Sequence, residues 1–195
     1  MSIYREQLEA WLKSIDVKVD SVLDVGGGQL PVKDRVRSWK VKDYKILDND
    51  AQYKPDFFFD LNQPFDCWKD INKHYCASFD VIFCLEVMEY LWNPFEAHTT
   101  LYNLLKDGGV AYISYPTIYP LHNPPKIDYL RYTKNAIEKL LSEAGFSTWE
   151  ITPRIATNGL EALHSFYVLE GMHPMKGTTE IFNIGYCVKA FKNEK

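Results

Sequence analysis

The sequence predicts a doubly wound α/β domain on a mostly parallel sheet. Short apolar runs alternate with segments of helical period. The first run breaks into three consecutive glycines, Gly26, Gly27 and Gly28. The run Phe79 to Leu85 is apolar at nearly every position, as a strand covered on both faces requires. A chain of 195 residues suits one domain, 1–195, with a single buried core.

Within an N-terminal helical region spanning 1–19, Ser2 to Ile15 place Ile3, Leu8, Trp11, Leu12 and Ile15 on one broad face. Ser21 to Val25 reads as the first strand and ends at the glycines. Pro31 suits the first turn of a short helix, where its missing N–H costs nothing, with Val32, Val36 and Trp39 along one side. Asp43 to Leu47 and Asp56 to Phe59 are the second and third strands, followed by a polar, partly helical segment from Phe65 to Ala77. After the fourth strand, Phe79 to Leu85, Asn93 caps a helix that has Pro94 in first position and Glu96 reaching back. That helix is expected to stop at Asp107-Gly108-Gly109, before a fifth strand from Val110 to Tyr115. Thr133 caps the next helix, whose stripe of Ile137, Leu140, Leu141 and Ala144 ends at Gly145. Phe146 to Thr152 and Ile181 to Phe191 are the last two strands. Between them, helical residues around Leu160 to Glu170 lie in an inserted segment, 157–177, expected to roof the pocket like a lid.

A formal net charge of −4 and the lack of a basic stripe argue against phosphate-backbone binding, so no nucleic-acid partner is expected. Arg5, Glu6 and Glu9 break any signal-like apolar region at the N-terminus, and no run reaches membrane-span length. A soluble cytoplasmic protein without a membrane partner, monomeric or homodimeric, is the expectation. Cys67, Cys76, Cys84 and Cys187 show no CxxC spacing and read as free thiols in a reducing compartment. His74, His98, His164 and His173 share no metal-ligand spacing, so no metal is expected. Aromatic residues make up 15 % of the chain; they fill a core or line a substrate pocket.

Open α/β sheets bind ligands beyond the carboxyl ends of their strands, near the point where strand order reverses. The turn Asp24-Val25-Gly26-Gly27-Gly28 stands at such a place. A dinucleotide fingerprint fails, because Pro31 occupies its third glycine position. Instead an acid ends each of the next two strands, Asp48 and Asp60, and two carboxylates flanking a glycine turn suit the hydroxyls and amine of an adenosine.

Taken together, VLDVGGGQL (Val22–Leu30), YKILDND (Tyr44–Asp50), FFFDLN (Phe57–Asn62), FDVIFCLEVMEYL (Phe79–Leu91) and LKDGGVAYISYP (Leu105–Pro116) resemble the class I S-adenosylmethionine-dependent methyltransferases. The resemblance covers roughly Val22 to Thr152. It implies a seven-stranded sheet with a final antiparallel strand, and S-adenosylmethionine as cofactor. The stretch His122–Phe146 is similar to a subgroup linked to sugar and other small-molecule modification. By resemblance, Gly26, Gly27 and Gly28 would back onto the methionine part, with Asp24 holding its ammonium directly or through water. Asp48, with Asn49 beside it, would take the ribose diol. Asp60 would take the adenine amine, with Leu61 against the ring, and Leu85 and Glu86 would sit beside the sulfonium. Two departures stand out: Leu30 replaces the glycine that usually closes the first motif, and Tyr90 replaces a frequent His.

Methyl transfer from a sulfonium is an in-line displacement, in which the protein supplies position and electrostatics. A hydroxyl acceptor benefits from a base. His122, in the loop after the fifth strand, is the candidate, as base or acceptor ligand, with Tyr115, Tyr129, Arg131 and the weaker donor Tyr90 nearby; equally, His122 hydrogen-bonds its own loop. Arg131 either grips an anionic acceptor or braces the loop through Asp128 or Glu138. The expected function is methylation of a small-molecule acceptor such as a sugar hydroxyl. The alternatives are a nucleobase or protein methyltransferase, or a non-catalytic subunit that binds S-adenosylmethionine.

Overall fold

Successive side chains of a strand face opposite sides of its sheet, so a strand between two layers must be apolar on both. The computed structural model, which describes residues 3–67, 73–119, 121, 127–155 and 183–193, shows this in its central strands. Along β1 (Asp16–Val25) and β4 (Phe79–Cys84), Val22, Val81 and Phe83 join one apolar cluster, while Leu23, Val25, Ile82 and Cys84 join another on the opposite face. The first cluster is closed by Leu8 and Leu12 of α1 (Ile3–Leu12), together with Ile15, Val32 and Val36. The second is closed by α2 (Pro94–Leu104) and α3 (Lys134–Ala144), through Ala97, Leu101, Ile137 and Leu141.

The remaining strands are β2 (Ser38–Asp48), β3 (Phe57–Phe58), β5 (Leu105–Pro116), β6 (Thr148–Ile155) and β7 (Asn183–Phe191). They complete a seven-stranded sheet in the order β3-β2-β1-β4-β5-β7-β6. All pairs from β3 to β5 are parallel, and β7 runs antiparallel to both its neighbours. Strand order reverses between β1 and β4, so their carboxyl ends mark the switch point. The predicted fold class is the one found.

Boundaries differ in ways the packing explains. The N-terminal helix stops at Leu12, short of 19, because β1 begins at Asp16. From Asp16 to Val19, β1 pairs only with β2, and β4 joins at Val22. The outer part of that ribbon carries exposed Lys18, Lys40 and Lys42, which hid it from an apolar-run reading. The short helix expected after Pro31 is absent: turns and bends carry the chain from Gly26 to Arg37. Val32 and Val36 are buried as expected, but by a loop. The helix after β4 gives way to β5 at Leu104 rather than at the glycines, and a bulge opposite Phe79–Val81 absorbs Asp107 and Gly108. Asn93 precedes that helix without a side-chain cap; its N–H instead donates to Asn62 Oδ1. Thr133 and Gly145 cap α3 as predicted, Thr133 accepting from the Ala136 N–H and Gly145 adopting φ +101°. Cys67 and Cys76 form a disulfide, Cα to Cα 5.7 Å, which corrects the expectation of four free thiols; Cys84 and Cys187 are free and buried. The lid-like segment 157–177 lies outside the described residues. Among the described residues, no helix is long and apolar enough to cross a membrane and no cluster could hold a metal ion.

Candidate functional site

The site is assembled from the loops that leave β1, β2, β3 and β4. Gly26 turns the chain at φ +70°, a conformation in which a side chain is strained. A Cβ there would stand 2.5 Å from Val87 Cγ2, so the first loop closes directly against the loop after β4. At Gly28 a Cβ would lie 2.5 Å from Tyr53 Cβ and 2.7 Å from Asp48 Oδ2. The Gly28 N–H donates to that oxygen at 3.3 Å, while the Asp50 N–H holds Asp48 Oδ1 at 3.0 Å. Asp48 thus turns back over the glycine bend, with exposed Asn49 beside it. Asp50 caps the turn Ala51–Tyr53 that carries Tyr53.

Asp24 lies beneath this surface. Its Oδ2 accepts from the Val32 N–H at 2.7 Å and the Tyr44 hydroxyl at 2.6 Å, and a Cβ at Gly27 would meet its carboxyl at 2.4 Å. Burial pushes the Asp24 carboxyl up to about 6 despite those hydrogen bonds. The geometry makes Asp24 the internal support of a helix-free loop, and Tyr44, which opens the second motif but has no role assigned there, completes that support.

Asp60 Oδ1 accepts from both the backbone and the side-chain amide of Asn62. Asn62 Oδ1 in turn accepts from the N–H groups of Trp92 and Asn93, tying the β3 loop to the β4 loop. Leu61 and Leu85 belong to the two apolar cores, and so act as floor rather than as exposed contacts.

Glu86 has φ +57°, sparsely populated for a residue with a Cβ and a form of strain common at functional sites. Ser114 holds it twice: the Glu86 N–H donates to Ser114 Oγ and the Ser114 hydroxyl donates to Glu86 Oε1, each at 2.7 Å. Arg154 Nη1 donates to the same oxygen at 3.1 Å. Sequence reasoning missed Arg154, two residues beyond the strand expected to end at Thr152. It also missed Glu89, fully buried in the 3₁₀ turn Met88–Tyr90. Burial, then repulsion from Glu86, pushes the Glu89 carboxyl up to about 8.

The acceptor-side candidates divide. Tyr115 is fully buried, and its hydroxyl lies 2.7 Å from Nε2 of the equally buried His98; this pair braces β5 on α2 and is closed to an acceptor. Arg131 spends its guanidinium on Asp128 and on the Tyr119 and Leu130 carbonyls, the bracing alternative. Tyr129 is exposed, its N–H bonded to the Glu89 carbonyl at 2.8 Å. Burial pushes the Tyr90 hydroxyl far above its ordinary range, so it is no base near neutrality. His122 lies outside the described residues. A groove of about 330 Å³ beside Trp11, Asp16, Tyr112 and Lys189 flanks α1 near the start of β1, away from these loops.

Sheet order, antiparallel β7 and the glycine bend at the switch point define the class I methyltransferase fold. A family described as a methyltransferase domain matches residues 3–151, and the chain belongs to that family. No curated protein matches the chain in sequence. Solved structures are similar in fold at low identity. A methyltransferase from Bacillus halodurans is 16 % identical, with a TM-score of 0.58 over 95 % of this chain and 98 % of that one. The partner of the Trm112 methyltransferase activator in Haloferax volcanii is 17 % identical, with a TM-score of 0.61 over 98 % and 90 %. Phosphoethanolamine N-methyltransferase 2 of Haemonchus contortus, solved with S-adenosylmethionine, is 13 % identical, with a TM-score of 0.57 over 96 % of this chain. The chain spans about half the length of that enzyme (53 %) and of two carbon methyltransferase structures (49 % and 47 %).

The cofactor of this class is S-adenosylmethionine, and the residues fit it. Gly26 and Gly28 bare the backbone where a Cβ would crowd the bend, and Asp48 supplies a carboxylate beside it.

Proposed function

We propose that this protein transfers a methyl group from S-adenosylmethionine to a small-molecule acceptor, a sugar or glycan-precursor hydroxyl being the preferred class. The observation that carries the reading is the Asp48 carboxylate folded over the Gly26–Gly28 bend at the switch point. The donor brings the electrophilic methyl group. Asp48 would accept from its ribose diol, Asp60 would face its adenine amine, and Glu86, fixed by Ser114 and Arg154, would face its sulfonium. The buried neutral His98–Tyr115 pair stiffens β5 behind the acceptor loop; burial lowers His98 to about 4. His122 is the proposed base, and exposed Tyr129 the proposed acceptor contact. Radiolabelled S-adenosylmethionine incubated with panels of sugars, amines and apolar alcohols tests this reading. Label in a sugar supports it; label only in a protein or nucleobase refutes the acceptor class.

A further inference from the structure

Arg154 belongs to edge strand β6, yet its guanidinium reaches the end of β4. In the β6–β7 register it stands opposite Gly185, which in turn stands opposite Pro116 of β5. A Cβ at Gly185 would lie 2.9 Å from Arg154 Nη2 and 3.0 Å from Nε, so the missing side chain lets Arg154 lie across β7. Beyond that notch the guanidinium donates to the Tyr115 carbonyl at 3.1 Å, to Glu86 Oε1 at 3.1 Å and to the Tyr4 hydroxyl at 2.6 Å. Its carbon rests 3.7 Å from the centre of the Tyr4 ring, and only 1 % of the residue is exposed. A charge buried this deeply costs heavy desolvation and is weak evidence of stabilisation for its own sake.

The partner it holds explains the arrangement. Glu86 is faced by Arg154 from β6, Tyr4 from α1, Ser114 from β5, Cys187 from β7, and Glu89 and Tyr90 from the adjoining turn. Repulsion from Glu86 adds to burial in raising the neighbouring Glu89 carboxyl. The second cation acting on Glu89, Arg131, is engaged with Asp128.

We propose that Arg154 is a positioning residue that holds the Glu86 carboxylate aimed at the methyl-bearing end of the donor, so that the site favours the cationic donor over its neutral demethylated product. The inference rests on the donor site proposed above. S-adenosylmethionine and S-adenosylhomocysteine differ by one methyl group and one positive charge, so their affinity ratio reads the charge facing the sulfur. Without Arg154, Glu86 Oε1 keeps its bond from Ser114 but loses the guanidinium that fixes its direction.

Calorimetric titrations of both compounds at neutral pH test this on the native protein and on Arg154→Ala, Arg154→Lys and Gly185→Ala, beside thermal unfolding of each. In Arg154→Ala the preference for the donor falls about tenfold, the worth of one well-aimed charge contact. Product affinity stays within about threefold, because no sulfonium charge is involved. Arg154→Lys restores most of the preference. Gly185→Ala, which displaces the guanidinium without removing it, shifts the ratio in the same direction as Arg154→Ala and carries the comparison if that variant does not fold. Equal weakening of both compounds, with the ratio unmoved, overturns the proposal and leaves Arg154 a structural residue, while the donor site stands. Failure of the native protein to bind either compound overturns the donor site itself.

Discussion

Replacing Glu89 by Gln keeps the size of a fully buried side chain and removes its titration, so the variant isolates one proton. The Glu89 carboxyl, ordinarily at 4.5, is raised to about 8, first by burial and then by Glu86. A raised carboxyl holds its proton in the folded state after the unfolded chain has released it. Its contribution to stability is therefore complete below pH 4.5 and is lost as pH climbs through 8. Asp24, raised to about 6, gives the same sign but has largely titrated by that pH. The interval from pH 6 to 8 thus belongs mainly to Glu89. Each pH unit there is worth about 1.4 kcal/mol, so the native protein loses roughly 2–3 kcal/mol, capped by the cost of opening the turn to water. Urea unfolding monitored by fluorescence at several pH values reads this directly. The account predicts falling stability for the native protein and a nearly flat profile for Glu89→Gln. Equal slopes in the two proteins would refute it.

Other outcomes follow from the same geometry. Asp48→Asn removes a charged acceptor and should weaken S-adenosylmethionine by about 10- to 100-fold, the worth of charge-assisted hydrogen bonds, with little change in unfolding temperature. Gly28→Val should abolish donor binding, because a Cβ alone would stand 2.5 Å from Tyr53 and crowd Asp48; wild-type affinity in that variant would contradict the bend as the binding surface. Tyr115→Phe leaves buried His98 without its hydroxyl partner and should cost about 1–3 kcal/mol in denaturant unfolding. Its methyl-transfer rate per folded molecule should stay unchanged, and a large fall in kcat would return Tyr115 to the reacting groups.

The parts of this molecule legible in the sequence are those written as local pattern. The apolar run of β4, the capped stripe of α3 and the glycine bend each follow from period or backbone chemistry, and they sufficed for the fold class. Asp48 and Asp60 could be placed because a strand end is readable as the close of an apolar run. What was missed depends on contacts distant in sequence. Tyr44 reaches Asp24 across a parallel strand pair, and Arg154 reaches Glu86 only because Gly185 stands between them in register. No spacing announces either. The helix expected after Pro31 failed because Asp24 and Tyr44 hold Val32 in a loop, and tertiary hydrogen bonds outweighed a proline signal. Tyr115 looked reactive at the end of an apolar strand, but strand alternation turns it toward α2 and His98.

The central claim is that the nucleoside of the methyl donor sits on the Gly26–Gly28 bend under Asp48. Calorimetric titration of S-adenosylhomocysteine into the native protein and into Asp48→Ala tests it most directly. The account predicts a single-site isotherm for the native protein and its loss or severe weakening in the variant. No binding heat in the native protein, or equal affinity in both, would contradict it.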